Sequence, residues 1–218
     1  MSAMATNVTT FSVNTDDPLS LLPRTSVRTY NKDEVIYRTG DRGEALYLVI
    51  EGRVKVSRVA KNGREVILEF CEKDDLFGEA GFSGSRGAEQ ATALDRTSLM
   101  MWPLPELERL MMRTPALGPA LLRVVGKKIE AAYRRVESLN LDPINRRLAK
   151  AMLRLAGHRG QGTVHIAPTT HEQLAHYVGT SREIVTQYMN QFRRENLLQY
   201  SRQGIEVDVA AIEKYLAG

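Results

Sequence analysis

Cysteine is almost absent from this 218-residue chain. Cys71 stands alone, which excludes an internal disulfide framework and fits a reducing cytoplasm. Long apolar runs are missing too: no stretch approaches the roughly 20 residues that span a bilayer, so no membrane partner is expected. The start, MSAMATNVTTFSVNTDDP, has neither a basic opening nor an apolar core and does not read as a secretory signal. There is no GxSxG, P-loop, HExxH or paired-cysteine motif, so nothing marks an enzyme. Asp74–Asp75 is an ordinary surface-turn pair, and Glu79 has nothing beside it to complete a catalytic constellation. Histidine is missing from the first 157 residues; His158, His165, His171 and His176 lack metal-site spacing, and the last two, five apart, point differently on a helix. Internal repeats and low-complexity tracts are absent. The first two thirds also lack a charge surplus. Residues 1–142 hold twenty Lys/Arg and twenty Asp/Glu, whereas residues 143–218 hold ten against six, so the basic excess that could meet a polyanion lies in the last third.

What is present divides the chain. Residues 1–18 are polar and read as a mobile tail. From Thr25 to Trp102, short runs rich in Val, Ile, Leu and Tyr alternate with Gly-containing connectors, as in EVIYRTGDRGEALYLVIEGRVKV (34–56), REVILEF (64–70) and LMMWPL (99–104). This is the pattern of many short antiparallel strands closed into a roll or jelly roll, and Asn62-Gly63 marks a hairpin. Residues 19–114 are therefore read as a β-roll domain. Residues 115–141 read as a long helix in which Leu117, Leu121, Val124, Lys128, Ala131, Arg135 and Leu139 recur at spacings of three and four. That stripe either packs on the chain's own barrel or pairs with a second copy. At about 37 Å for 25 residues the helix exceeds what a small barrel covers, which favours dimerisation through Leu117, Leu121, Val124, Lys128 and Leu139. Asp142-Pro143 ends the helix and marks a hinge.

In residues 142–218 a helix at 144–156 precedes a short strand, TVHIA, and two further helices separated by Gly179. Thr169 with Glu172, and Thr180 with Glu183, are T-x-x-E helix starts. Gly179 suits the left-handed residue of a tight turn, and Ala175 and Val185 are small enough for the two helices to cross closely. Residues 169–193 thus form a helix-turn-helix, and LLQYSRQGIEVDV follows as a two-stranded wing turning at Gln203-Gly204. At 100° per residue from Arg182, the residues Glu183, Thr186, Gln187 and Asn190 fall between roughly 0° and 140°, while Ile184, Val185, Tyr188, Met189 and Phe192 fill roughly 200° to 340°. One face is core. The other carries side chains suited to base edges: Arg for guanine, Glu for a cytosine amino group, Gln or Asn for adenine. Arg182, Glu183, Thr186 and Gln187 are expected at base edges, Ser181, Thr169, Thr170 and Asn190 nearer the backbone. Arg146, Arg193, Arg194 and Arg202 are expected on phosphates, which position without specifying.

Taken together, GDRGEALYLVIEGRVKV, DLFGEAGF, LDPINRRLAKAMLRLA and GTSREIVTQYMNQF resemble the β-roll signature, Gly-Glu effector cassette, hinge and recognition helix of the CRP/FNR superfamily of bacterial transcription regulators, from about residue 20 to 216. The resemblance implies an α+β protein with a cyclic-nucleotide-binding-like roll, a dimerisation helix and a winged helix-turn-helix. It implies a homodimer on a palindromic double-stranded operator that contacts RNA polymerase, with the GHRGQG loop (157–162) as the contact. It places an effector pocket at Gly78, Glu79, Arg86, Glu89, Gln90, Ala131 and Ala132.

The departures are specific. Glu89 and Gln90 stand where cAMP-binding members carry Arg-Ser, and a carboxylate there repels a phosphate. Ala131 and Ala132 replace two hydroxyl residues that meet the adenine. Both argue against cAMP, with Arg86 as a candidate substitute anchor; a cyclic-nucleotide-responsive regulator is the alternative reading, and an unidentified small-molecule effector stays open. One cysteine cannot hold an iron–sulfur cluster, and no roll histidine is present for haem, so no cofactor or metal is expected. Cys71 as a redox switch, in a ligand-independent regulator, is the third reading; neighbouring carboxylates would blunt its reactivity. Gln187 replaces the family's second Arg, so the half-site should relate to TGTGA or TTGAT with one altered inner position.

Overall fold

The computed structural model describes residues 17–41, 45–84, 87–157 and 162–218. The tail as far as residue 16, Arg86, His158 and most of the GHRGQG loop therefore lie outside the described residues. Asp17 caps a short helix α1 (Pro18–Leu21) with its side chain on the Leu19 N–H, and Pro18 is buried, so the fold begins slightly before the expected end of the tail.

The roll is two four-stranded antiparallel sheets. One orders its strands β1 (Val27–Tyr30), β8 (Thr97–Pro103), β3 (Ala45–Glu51) and β6 (Leu76–Phe77). The other orders β2 (Val35–Tyr37), β7 (Gln90–Ala93), β4 (Val54–Val59) and β5 (Glu65–Cys71). Tyr30, Val49, Val54, Val56, Cys71, Phe77, Ala91, Ala93 and Leu99 fill the space between them. Strand β3 reads ALYLVIE because both its faces are covered. Val49 points between the sheets, whereas Leu46 and Leu48 point the other way, into a second core with Trp102, Leu107, Leu117 and Leu121. Period-two alternation disappears from sequence when neither face meets water. Asn62-Gly63 does turn the β4–β5 hairpin, with Gly63 in left-handed conformation.

Helix α2 (Leu104–Arg113) and helix α3 (Leu117–Leu141) follow. Here the expected seam is corrected. Leu117, Leu121 and Val124 pack into the second core beneath β3 and β8, Lys128 pairs with the roll, and Arg135 reaches β5. Apart from Ala131 and Leu139, which are exposed, that stripe is the helix's inner face. Its outward face carries Leu122, Ile129, Tyr133, Val136 and Leu139, exposed by 44% (Leu139) to 71% (Leu122, Tyr133). With Val125 and Ala132 these repeat at three and four residues, the spacing of a coiled-coil seam. A 25-residue helix carries two such stripes, and periodicity does not say which one its own roll takes.

Helix α3 ends at Leu141 because Asp142, ahead of Pro143, is extended. The Asp142 carboxylate accepts from the Ser138 hydroxyl and from Lys150 Nζ, each at 2.6 Å, tying the end of α3 to helix α4 (Ile144–Ala156) and holding the Asp142 carboxyl below the usual range. Strand β9 (Thr163–Ile166), helix α5 (His171–Val178), helix α6 (Arg182–Arg194), strands β10 (Leu198–Ser201) and β11 (Gly204–Asp208), and helix α7 (Val209–Ala217) complete the chain. The wing has three strands, ordered β10-β11-β9, and turns at Arg202-Gln203, one residue earlier than the glycine suggests. Helix α7, which has no counterpart in the sequence reading, covers α4 through Ile212 and is capped by Asp208. No helix among the described residues is long and apolar enough to cross a membrane.

Candidate nucleic-acid interface and roll cavity

Helices α5 and α6 meet through Leu174, Ala175 and Val178 on one side and Val185 and Met189 on the other, all buried. Gly179 links them at φ 74°, and a Cβ there would sit 3.2 Å from Leu139 Cδ2 on α3, so both conformation and space favour glycine. The amides of Gly179 and Thr180 both donate to the Ala175 carbonyl. Thr180 is thereby consumed in closing α5, and the cap of α6 falls to Ser181, whose hydroxyl accepts from Ile184 N–H. At α5 the capping box is Thr170 with Gln173, not Thr169 with Glu172; Thr169 instead donates its hydroxyl to the Ala167 carbonyl. Glutamine completes such a box as well as glutamate, so each T-x-x-E pair pointed one residue early.

Along α6, Val185, Met189 and Phe192 are buried, while Ile184 and Tyr188 flank that stripe half-buried. Arg182, Glu183 and Gln187 are exposed on the opposite side, with Ser181 beside them. Glu183 accepts from its own N–H and from the Ser181 hydroxyl, which holds its carboxyl below the ordinary range and keeps it an acceptor. Two expected contact residues are committed internally. Thr186 donates its hydroxyl to the Arg182 carbonyl at 2.9 Å and meets His171 Nδ1 at 2.9 Å. A hydroxyl has one proton, so the His171 contact requires Nδ1–H to be the donor. His171 also stands edge-on to Tyr200 (5.3 Å), and burial together with Arg182 lowers its pKa. Asn190 accepts at Oδ1 from the Tyr200 hydroxyl (2.9 Å) and from Arg193 (3.2 Å), locking the wing onto α6. Sequence reasoning misses His171 and Tyr200 as functional residues because only the packed wing brings them beside α6.

Among the arginines, Arg193, Arg194 and Arg202 are exposed, the last at the wing tip. Arg146 is half-buried, and its Nη2 donates to the Leu216 carbonyl at 2.5 Å, which uses one of the five guanidinium donors.

The roll holds a cavity of about 360 Å³ lined by Ile36, Tyr37, Arg38, Asp41, Ala45, Tyr47, Gly78, Ala80, Gly81, Gly87 and Glu89. Gly78 makes its wall possible: at φ 92° it starts the turn Glu79–Ser83, and a Cβ would stand 2.7 Å from the Ala45 carbonyl. Of the expected pocket residues, Gly78 and Glu89 line this cavity. Glu79 turns away from it to Lys128, whose Nζ lies 3.1 Å from Glu79 and 2.7 Å from Glu69. Burial works against the Lys128 charge, but the two carboxylates outweigh it and raise its pKa. Gln90 sits on β7, opposite Ser57. Ala131 and Ala132 are exposed on α3, and Ala131 borders an open groove with Asp74 and Lys127 instead of the cavity. The side chain that α3 sends toward the cassette is Lys128, one helical turn earlier.

Cys71 is fully buried between the sheets, and burial with Glu69 nearby pushes its thiol pKa well up. Both features weigh against the redox reading, since oxidation proceeds through an accessible thiolate. Among the described residues no three His, Cys, Asp or Glu side chains gather as metal ligands.

Between roll and reading head, Ile67 and Phe70 of β5 enter the core built on α5. Arg135 donates to the carbonyls of Ile67 (2.6 Å), Leu68 (2.7 Å) and Tyr177 (2.5 Å), and His176 Nδ1 stands 3.3 Å from Glu65.

Residues 27–114 match the cyclic nucleotide-binding domain family, and residues 146–215 the Crp-like helix-turn-helix domain family. The chain is 31% identical over 164 residues to transcriptional regulator SdrP of Thermus thermophilus, covering 73% of this chain and 77% of that one. It is 29% identical over 192 residues to the cyclic AMP receptor protein of the same organism, covering 87% of each. The solved structure of a CRP/FNR family transcriptional regulator, also from Thermus thermophilus, superposes with a TM-score of 0.68 at 26% identity, covering 88% of this chain and 99% of that one. With a cyclic nucleotide-binding-type roll, a long helix and a Crp-like helix-turn-helix in that order, the chain belongs to the CRP/FNR family of DNA-binding transcription regulators, which are not enzymes.

Proposed function

We propose that this regulator acts in the cytoplasm as a homodimer on a palindromic operator, reading base edges with Arg182, Glu183 and Gln187. The carrying observation is the division of α6 into a buried stripe and an exposed edge holding those three side chains. Arg182 suits guanine, Glu183 a cytosine amino group and Gln187 adenine. Arg193, Arg194 and Arg202 supply phosphate contacts. Regulators of this family bind DNA as dimers, and the unpartnered seam Leu122–Ile129–Val136–Leu139 on α3 is the surface for a second copy here.

The roll modulates this binding, and contact with RNA polymerase follows from family membership. One relative is named a cyclic AMP receptor protein. The cavity here is a poor seat for a cyclic phosphate, because the Glu89 carboxylate lines it. Selection of bound sites from random duplex DNA tests the operator reading. An inverted repeat with a guanine-containing half-site is expected; enrichment of no sequence, or of an asymmetric one, would overturn it.

A further inference from the structure

The cavity in the roll is chemically lopsided. Its wall carries two aromatic rings, Tyr37 and Tyr47, 5.7 Å apart, with Phe77 stacked behind them at 5.1 Å from Tyr47 and 6.3 Å from Tyr37. At the mouth Arg38 and Asp41 are exposed and offset one another in charge, and the Arg38 N–H donates to Asp41 Oδ2 at 2.8 Å. Deeper in, among the described lining residues, the one remaining acid or base besides the tyrosines is Glu89.

Glu89 is a half-buried carboxylate with one hydrogen bond, from the Tyr37 hydroxyl to its Oε1 at 3.1 Å. Burial raises the Glu89 pKa, with the Tyr37 hydrogen bond opposing, so a cation brought against the carboxylate would favour its charged form. Glu79 adds negative charge from behind, which Arg58 and Lys128, the latter shared between Glu79 and Glu69, partly offset.

We propose that this cavity binds a small organic cation, with its protonated nitrogen on Glu89 and its body against the rings of Tyr37 and Tyr47. The proposal rests on the roll being the sensor, as read above, and specifies the class of ligand. About 360 Å³ lies within the usual range for small-molecule sites. Aromatic rings attract a cation, and a desolvated carboxylate adds a charge-assisted hydrogen bond. The same arrangement repels phosphates and carboxylates.

Calorimetry on the full-length protein tests this with benzamidine, with benzoate as a probe of the same shape and opposite charge, and with cAMP. Benzamidine should bind saturably with a Kd below about 1 mM, and benzoate and cAMP should not. Glu89→Gln and, separately, Tyr47→Leu should each weaken benzamidine at least tenfold, with unchanged circular dichroism to confirm folding. Preference for benzoate or cAMP, equal binding by Glu89→Gln, or no benzamidine binding at 10 mM would overturn the proposal. Operator affinity measured on the same preparation separates the two readings. Benzamidine bound at Glu89 without change in operator affinity supports the ligand class and defeats modulation through the roll, whereas intact operator binding with no benzamidine binding defeats the ligand class alone.

Discussion

Arg135 of α3 holds the last turn of α5. Its guanidinium donates to the Tyr177 carbonyl at 2.5 Å and lies 4.5 Å above the Tyr177 ring, while also binding the Ile67 and Leu68 carbonyls of the roll. One side chain thus joins the roll's sheet, the long helix and the helix-turn-helix two residues before its Gly179 turn. Arg135→Ala would leave three carbonyls without this donor, and hydrogen bonds to charged groups contribute more than neutral ones. A loss of about 2–4 kcal/mol in urea unfolding is expected, with roll and DNA-binding domain melting separately by calorimetry. A change under about 0.5 kcal/mol would make the triple contact incidental.

The two stripes of α3 make opposite predictions. Ile129 is on the exposed seam, so Ile129→Asp should leave the roll folded and convert the dimer to monomer in sedimentation velocity. Operator binding should weaken on the order of a hundredfold with the loss of the second half-site. Leu121 is buried beneath the roll, so Leu121→Asp should unfold the protein. A dimeric Ile129→Asp protein would rule the outer seam out.

Arg182 and Asn190 separate readers from braces. Arg182→Ala should cost roughly 1–3 kcal/mol on the selected operator and relax one base position. Asn190→Ala removes the acceptor for Tyr200 and Arg193, so it should weaken binding to all sequences alike and lower the unfolding midpoint. Uniform loss on every sequence for Arg182→Ala would demote it to a phosphate contact.

The His171–Thr186 hydrogen bond carries a pH signature. His171 has a lowered folded-state pKa, caused by burial and by Arg182. Unfolding therefore takes up protons on acidification: the stability tied to neutral His171 is present above the ordinary histidine value of about 6.5 and is lost as pH falls through the lowered value. In thermal unfolding between pH 8 and pH 5, the gap between the native protein and His171→Gln should narrow toward acid. A constant gap would show that the ring's protonation is not linked to this contact.

Several of these residues show how far sequence reasoning reaches. The helix at 144–156, the αL glycine at 179 and the arrangement of Arg182, Glu183 and Gln187 opposite Val185, Met189 and Phe192 were legible because they follow from near-neighbour effects: the proline junction, the turn glycine and the 3.6-residue period. The helix caps were misread by one residue because Thr180 can serve the end of α5 as well as the start of α6, and only the backbone geometry chooses.

What the amino-acid order determined alone is the order of parts: alternating short strands, one long helix, a proline hinge, a helix-turn-helix and a wing. The tertiary structure decided which of two equivalent α3 stripes faces the roll, that Thr186 and Asn190 brace the reading helix, and that Cys71 is buried. It also made Arg135 the link between domains and brought Tyr37, Tyr47 and Glu89 around one cavity. Those facts depend on residues far apart in sequence, such as Arg135 with Ile67 and Tyr37 with Glu89. Periodicity and propensity describe a chain's neighbours along itself, whereas burial and hydrogen-bond partners exist only once distant segments have packed.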